Sequence, residues 1–122
     1  MTTEIILLGH GSRRREANEG LIEVAHKVET ILGEKVTPAF MENAEPSLPK
    51  VVEAKVETGA QRIVIMPLFL FRGIHVTVDI HNEVREIQEQ HPDVEIVFTA
   101  ELGADDAIAS LACSRIKEAI GV

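Results

Sequence analysis

The chain carries one cysteine, Cys113, so it can form no intrachain disulfide and holds no metal or iron–sulfur motif built on cysteine pairs. Cys113 follows Leu111 and Ala112 in a helical pattern and reads as a small packed side chain, the usual fate of a free cysteine. Positive charge is also scarce. Twelve Lys and Arg stand against 20 Asp and Glu, a net charge of −8 that disfavours nucleic-acid binding, which needs a basic footprint. An anionic ligand would therefore require a local basic patch. No segment approaches the ~20 apolar residues of a membrane helix. The first residues lack a basic stretch and their apolar run is too short for a signal peptide, so the expected location is cytoplasmic. There is no low-complexity tract, linker or sequence repeat. With 122 residues and 45% hydrophobic content, residues 1–122 are expected to form one domain with a small core that would gain from association.

The chain alternates strand-like and helix-like patterns. Residues 5–8 are a continuous apolar run ended by Gly9, as expected of a strand covered on both faces. Leu21, Ala25, Val28 and Leu32 then recur at helical spacing, with Gly33 as the stop. Residues 36–41 make a second strand, and Pro38 argues for an edge position because it cannot donate to a ladder. Ser47 suits an N-cap and Pro49 a first helical turn, before the stripe Leu48, Val52, Val56 and a stop at Gly59. Residues 62–70 contain the strongest strand, centred on 63–66, with Pro67 ending its regular pairing. Ile80, Val84 and Ile87 mark a third helix, residues 94–98 a fourth strand, and Ile108, Leu111, Ala112, Arg115 and Ala119 a last helix. This rhythm predicts an α/β lobe, a four-stranded parallel sheet of order 2-1-3-4 flanked by helices.

Three residues stand just past strand-like runs: His10 in Leu-Leu-Gly-His-Gly-Ser, Glu42 in Ala-Phe-Met-Glu-Asn-Ala-Glu-Pro, and His75 in Phe-Arg-Gly-Ile-His-Val. Their separations, 42 − 10 = 32 and 75 − 42 = 33, each match one βα repeat of roughly 30 residues. In a parallel sheet the carboxyl ends of the strands share one edge, where ligands bind. Two imidazoles and a carboxylate converging there can hold a divalent metal or move protons. Each has a bland alternative: a structural histidine, a solvated carboxylate for which Glu45 would serve as well, a histidine bonded near a helix start. Gly9 and Gly11 flank His10 and give a ligand room to approach; Ser12 could simply cap the next helix. Arg13, Arg14 and Arg15 form the densest positive cluster, at the mouth of the same loop, and Arg72 lies near the third. Arginine pairs with carboxylates through two hydrogen bonds, so this patch suits a carboxylated ligand. His26, His81 and His91 read as solvated, and Glu101 as either a rim residue or part of a helix-entry loop.

Gly9-His10-Gly11-Ser12-Arg13 with Asn18, Phe40-Met41-Glu42 with Glu45-Pro46-Ser47-Leu48, and Pro67-Leu68-Phe69-Leu70 running into Gly73-Ile74-His75-Val76-Thr77 and Asp79 together resemble a small CbiX-type chelatase, a CbiX/SirB-like member of the class II chelatases. The resemblance covers essentially the whole chain. It implies insertion of a divalent metal into sirohydrochlorin, with Co²⁺ the first choice and Ni²⁺ or Fe²⁺ as alternatives, the metal being substrate and no organic cofactor being needed. It implies that His10 and His75 bind the metal and take pyrrole protons, that Glu42 assists, and that Ser12, Arg13, Arg14 and Arg72 face the tetrapyrrole. Long forms carry two lobes in one chain; a single lobe implies a homodimer.

The residues can do this chemistry. Neutral imidazole, with a reference pKa near 6.5, can bind a metal and accept protons at neutral pH. Imidazole and carboxylate suit several divalent ions, so the donors do not identify the metal. Two competing functions remain: a non-catalytic metal or tetrapyrrole carrier, which needs the same ligands, and, more remotely, a histidine phosphatase-like enzyme, whose arginine before the histidine is here Gly9.

Overall fold

The computed structural model describes residues 2–71 and 73–122, except for the side chains of residues 74–77. Four strands alternate with four helices: β1 (Thr3–Gly9), α1 (Arg15–Leu32), β2 (Val36–Phe40), α2 (Leu48–Glu57), β3 (Arg62–Pro67), α3 (Ile74–Gln90), β4 (Glu95–Phe98) and α4 (Asp106–Ile120). All ladders are parallel and the order is β2-β1-β3-β4, so the Pro38 strand lies at an edge as expected. Ile5 sits between Val36 and Val64, which fixes the register of the three strands.

The two faces of the sheet are covered unequally. On one face Ile6, Leu8, Ile63 and Ile65 are fully buried under Leu48 and Val52 of α2 and Ile80, Val84 and Ile87 of α3. Each such side chain contributes about 1.5–3 kcal/mol relative to leaving it exposed. On the other face Leu7, Val36 and Phe40 are buried against Leu21 and Ala25 of α1. That helix covers β1 and β2. Farther along this face Val64 of the internal strand β3 and Val97 of β4 are only half-buried.

Helix ends follow the sequence signals in most places. Gly33 closes α1 in the left-handed conformation (φ 72°), and Ser47 precedes α2 with Pro49 in its first turn, although the Ser47 side chain makes no capping bond. The α2 helix stops at Thr58, one residue before Gly59. His91, expected to be solvated, is half-buried and caps α3, while His26 and His81 are exposed.

The last helix departs from expectation. Asp105 caps it, its carboxylate accepting the Ala107 N–H at 2.8 Å. Yet no residue of α4 is buried: Leu111 is 51% and Ile116 59% exposed. Cys113 is likewise exposed, correcting the reading of it as a packed side chain. A helical apolar stripe requires a covering surface, and this chain does not provide one for α4. Among the described residues no helix is long and apolar enough to cross a membrane.

Candidate functional site at the carboxyl edge of the sheet

The β1–β2 ladder runs past the strands and carries the site with it. Gly9 pairs with Phe40, then Met41 N–H donates to Gly9 O at 3.0 Å and Glu42 N–H to His10 O at 3.1 Å. His10 and Glu42 are thus held side by side by main chain. The approach demands glycine at position 11, where a Cβ, at φ +93°, would lie 1.7 Å from the Glu42 carbonyl oxygen; a Cβ on Gly9 would meet only the end of the Leu21 side chain, at 2.7 Å. After Glu42 the chain turns through Asn43 at φ 59°, a left-handed conformation that asparagine tolerates better than most residues.

Ser12 and Asn18 lock the other side of the loop. The Ser12 N–H donates to Asn18 Oδ1 at 2.9 Å, and Asn18 Nδ2 donates to Ser12 O at 2.8 Å. The Ser12 hydroxyl accepts the Arg14 N–H at 3.0 Å. Ser12 therefore shapes the turn ahead of α1; the helix cap itself is Arg14, which makes no side-chain capping bond.

His10 Nε2 lies 3.6 Å from Glu42 Oε1, with both side chains more than half exposed. At that distance and exposure the pair contributes little to stability, so its placement favours chemistry over folding. The His10 ring also meets Phe69, from the segment after β3, edge to face with centroids 6.4 Å apart. An open cleft of about 490 Å³ runs from His10, Gly11 and Ser12 along Asn18 and Leu21 of α1 to Phe40 and Leu68.

His75 lies in the first turn of α3, not in a loop, at the same carboxyl edge; its side chain is outside the described residues, as is the whole of Arg72. Arg13 and Arg14 are exposed beside the His10 loop, while Arg15 pairs with Glu19 at 3.1 Å on the helix surface. Among the described residues no three His, Cys, Asp or Glu side chains converge to hold a metal ion. His10 and Glu42 are a two-donor arrangement.

Sequence reasoning missed Glu83. Burial raises its pKa above the ordinary carboxylate value of 4.5, and the nearby charges of Asp79 and Glu42 raise it further. Its Oε2 is buried with no hydrogen-bond partner among the described residues. The available signal was spacing: residues 75, 79 and 83 follow one another at one-turn intervals along α3. Asn18, which the sequence offers only as part of a motif, holds the Ser12 main chain from both sides.

The model of the CbiX family matches residues 4–119. The sirohydrochlorin cobaltochelatase of Methanocaldococcus jannaschii is 34% identical, over 91% of this chain and 95% of that protein. The sirohydrochlorin ferrochelatase of Priestia megaterium is 30% identical over 93% of this chain but only 43% of its own length. The solved structure of SirB from Bacillus subtilis with Fe³⁺ superposes on the entire chain with a TM-score of 0.90 at 28% identity, and this chain spans 48% of it. With a family match across nearly its full length and the glycine-flanked His10 set against Glu42 at the carboxyl edge of a 2-1-3-4 sheet, the chain belongs to the CbiX family.

Proposed function

We propose that this protein inserts a divalent metal into sirohydrochlorin, with Co²⁺ as the preferred substrate ion and Ni²⁺ or Fe²⁺ as alternatives. The observation that carries the proposal is the His10–Glu42 pair, held 3.6 Å apart by a main-chain ladder and open to a cleft at the sheet edge. The match to an archaeal cobaltochelatase along 95% of its length supports the choice of cobalt.

Insertion releases two protons from the pyrrole nitrogens as M²⁺ takes their place, and the ion must shed its water. His10 and His75 bind the ion and accept the pyrrole protons through their imidazole nitrogens. Glu42 Oε1, next to His10 Nε2, neutralises charge and passes protons to solvent. A metal that must be handed on is better served by few protein donors than by the closed four-ligand set of a structural site. With His75 the set reaches three donors and leaves positions for the ring nitrogens. Arg13, Arg14 and Arg72 pair with the carboxylates of the tetrapyrrole, and the Ser12 hydroxyl, which accepts from Arg14 N–H, keeps a proton to donate. No organic cofactor takes part.

Residues 1–122 act as one lobe, in the cytoplasm, and the working unit is a homodimer that encloses the macrocycle between two carboxyl edges. The test is an anaerobic assay that offers sirohydrochlorin and Co²⁺, Ni²⁺ or Fe²⁺ separately and follows the absorbance of the ring. Catalytic turnover with at least one metal, fastest with Co²⁺, is expected. Stoichiometric binding of metal or ring without turnover would assign the protein as a carrier instead.

A further inference from the structure

The segment after β3 is pinned as firmly as the one after β2. Leu8 pairs with Pro67 in the β1–β3 ladder, and Leu68 N–H then donates to Leu8 O at 2.8 Å, so this ladder too runs past its strand. From the β4 side, Leu102 N–H donates to Phe69 O at 3.0 Å and Gly103 N–H to Leu70 O at 2.6 Å. Of the three apolar residues that follow Leu68, Leu70 is 51% and Phe71 72% exposed, whereas Phe69 turns inward and packs, half-buried, on the core cluster that includes Ile6, Leu8 and Ile65.

Strand β1 lies between β2 and β3, and His10 follows its end. One extended ladder therefore brings Glu42 to His10 from the β2 side, and the other brings Phe69 from the β3 side. The imidazole needs such a neighbour. Its polar contacts are loose, Nε2 at 3.6 Å from Glu42 Oε1 and Nδ1 at 3.4 Å from Gly11 O, both beyond the limit of about 3.2 Å for a firm hydrogen bond. A side chain 55% exposed and so weakly held can turn about χ1 and χ2, and turning it aims Nε2 elsewhere. The Phe69 ring stands against it at 65° with centroids 6.4 Å apart, inside the roughly 4.5–7 Å range in which edge-to-face aromatic pairs attract. With its backbone tied from two sides and its ring resting on the core, Phe69 is the fixed member of the pair.

We infer that Phe69 is a positioning residue: its ring holds the His10 imidazole in the orientation that aims Nε2 at the incoming metal ion, and it acts on insertion only through His10. The inference rests on the role given to His10 in the proposed function and adds the residue that keeps it in place. A Phe69 that merely filled space would matter for its volume. A Phe69 that orients His10 matters for the flat ring at this distance. Leucine keeps apolar bulk on the core and loses the ring, while tyrosine keeps the ring and adds a hydroxyl. Orientation of the reacting imidazole is felt in kcat, and the grip on the tetrapyrrole, which lies with other side chains, is felt in KM.

The test compares Phe69→Leu and Phe69→Tyr with wild type, each checked by circular dichroism and thermal melts. In anaerobic metallation with Co²⁺, Phe69→Leu should lower kcat about 10–100-fold, the scale of a misplacement on the order of 1 Å, with KM for sirohydrochlorin changed less than about 2-fold; Phe69→Tyr should stay within about 3-fold of wild type. In titrations with Co²⁺ alone, Phe69→Leu should bind about 10-fold more weakly, the lower end of what orienting neighbours of a ligand contribute, and Phe69→Tyr should bind as wild type does. In NMR spectra of histidine-labelled protein the Phe69 ring current should displace the His10 ring protons, identified by their loss in His10→Ala, from those of the exposed His26. That displacement is read in wild type itself, so it decides the contact even if a variant does not fold; its absence would overturn the inference. Wild-type kcat in Phe69→Leu, a rise in KM in place of a fall in kcat, or equal losses in the two variants would overturn it as well. A wild type that binds Co²⁺ without turnover would sink the chelatase reading alone, and the titrations would then decide the role of Phe69.

Discussion

Replacing Gly11 by alanine tests whether the site depends on the close passage of two loops. The new Cβ would lie 1.7 Å from the Glu42 carbonyl oxygen, where an ordinary carbon–oxygen contact needs more than about 3 Å. One loop must therefore retreat by more than about 1 Å, a misplacement that costs enzymes on the order of 100-fold in rate when it falls on reacting groups. Alanine must also adopt φ +93°, a strain of about 1–3 kcal/mol. A chain of this size should lose roughly 3–15 °C in Tm from that term. The two effects can be separated with Gly33→Ala, which imposes a positive φ of 72° at a position with nothing within 4 Å of the added carbon. Thermal melts and the anaerobic metallation assay on both variants give the comparison. Both should melt earlier, and only Gly11→Ala should lose turnover beyond its loss of folded protein. Near-wild-type turnover in Gly11→Ala would refute the dependence of the site on this contact.

Asn18→Ala leaves the Ser12 N–H and carbonyl without their partners, and should cost about 1–3 kcal/mol together with a fall in kcat; Asn18→Asp, which keeps the acceptor and loses the donor, should fall between, and urea melts alongside turnover read both. Glu83 has a raised pKa, so the folded state holds its proton more tightly than the unfolded chain, and the stability it provides is present below about pH 4.5 and lost as pH rises through the folded value. Glu83→Gln should therefore be more stable than wild type at neutral pH, with the difference vanishing below about pH 4.5, as denaturant melts across a pH series would show. Arg13→Ala combined with Arg14→Ala should raise KM for the carboxylated ring more than it lowers kcat, and the effect should shrink with added salt, since exposed charges are screened over about 8 Å at physiological ionic strength.

The sheet was legible because its signals are local. Pro38 marks an edge strand, the apolar runs at 5–8 and 63–66 mark strands, and Gly33 marks the end of a helix; the structure shows each of these. Regular spacing of His10, Glu42 and His75 was enough to place their backbones at one edge, because a parallel sheet puts every strand's carboxyl end there. The contact between His10 and Glu42 was not readable in detail, since it depends on the ladder extending past Phe40 and on the space left by Gly11. His75 was expected in a loop and lies in the first turn of α3, because the helix begins at Ile74, well before its buried stripe at Ile80. Glu83 escaped notice because its setting comes first from burial, and then from the charges of Asp79 on its own helix and of Glu42 on a different βα unit. Periodicity correctly placed α4, but helical spacing alone cannot say whether a face is covered, and so Cys113 was read as a packed side chain although it is exposed.

The most direct test of the central claim is single-turnover metallation of sirohydrochlorin with Co²⁺ by wild type, His10→Ala and His75→Ala, each verified as folded by circular dichroism. Each substitution should slow insertion at least about 100-fold, the scale on which a positioned acid–base group acts, while the far-ultraviolet spectrum stays unchanged. A folded His10→Ala variant that inserts cobalt at the wild-type rate would contradict that claim.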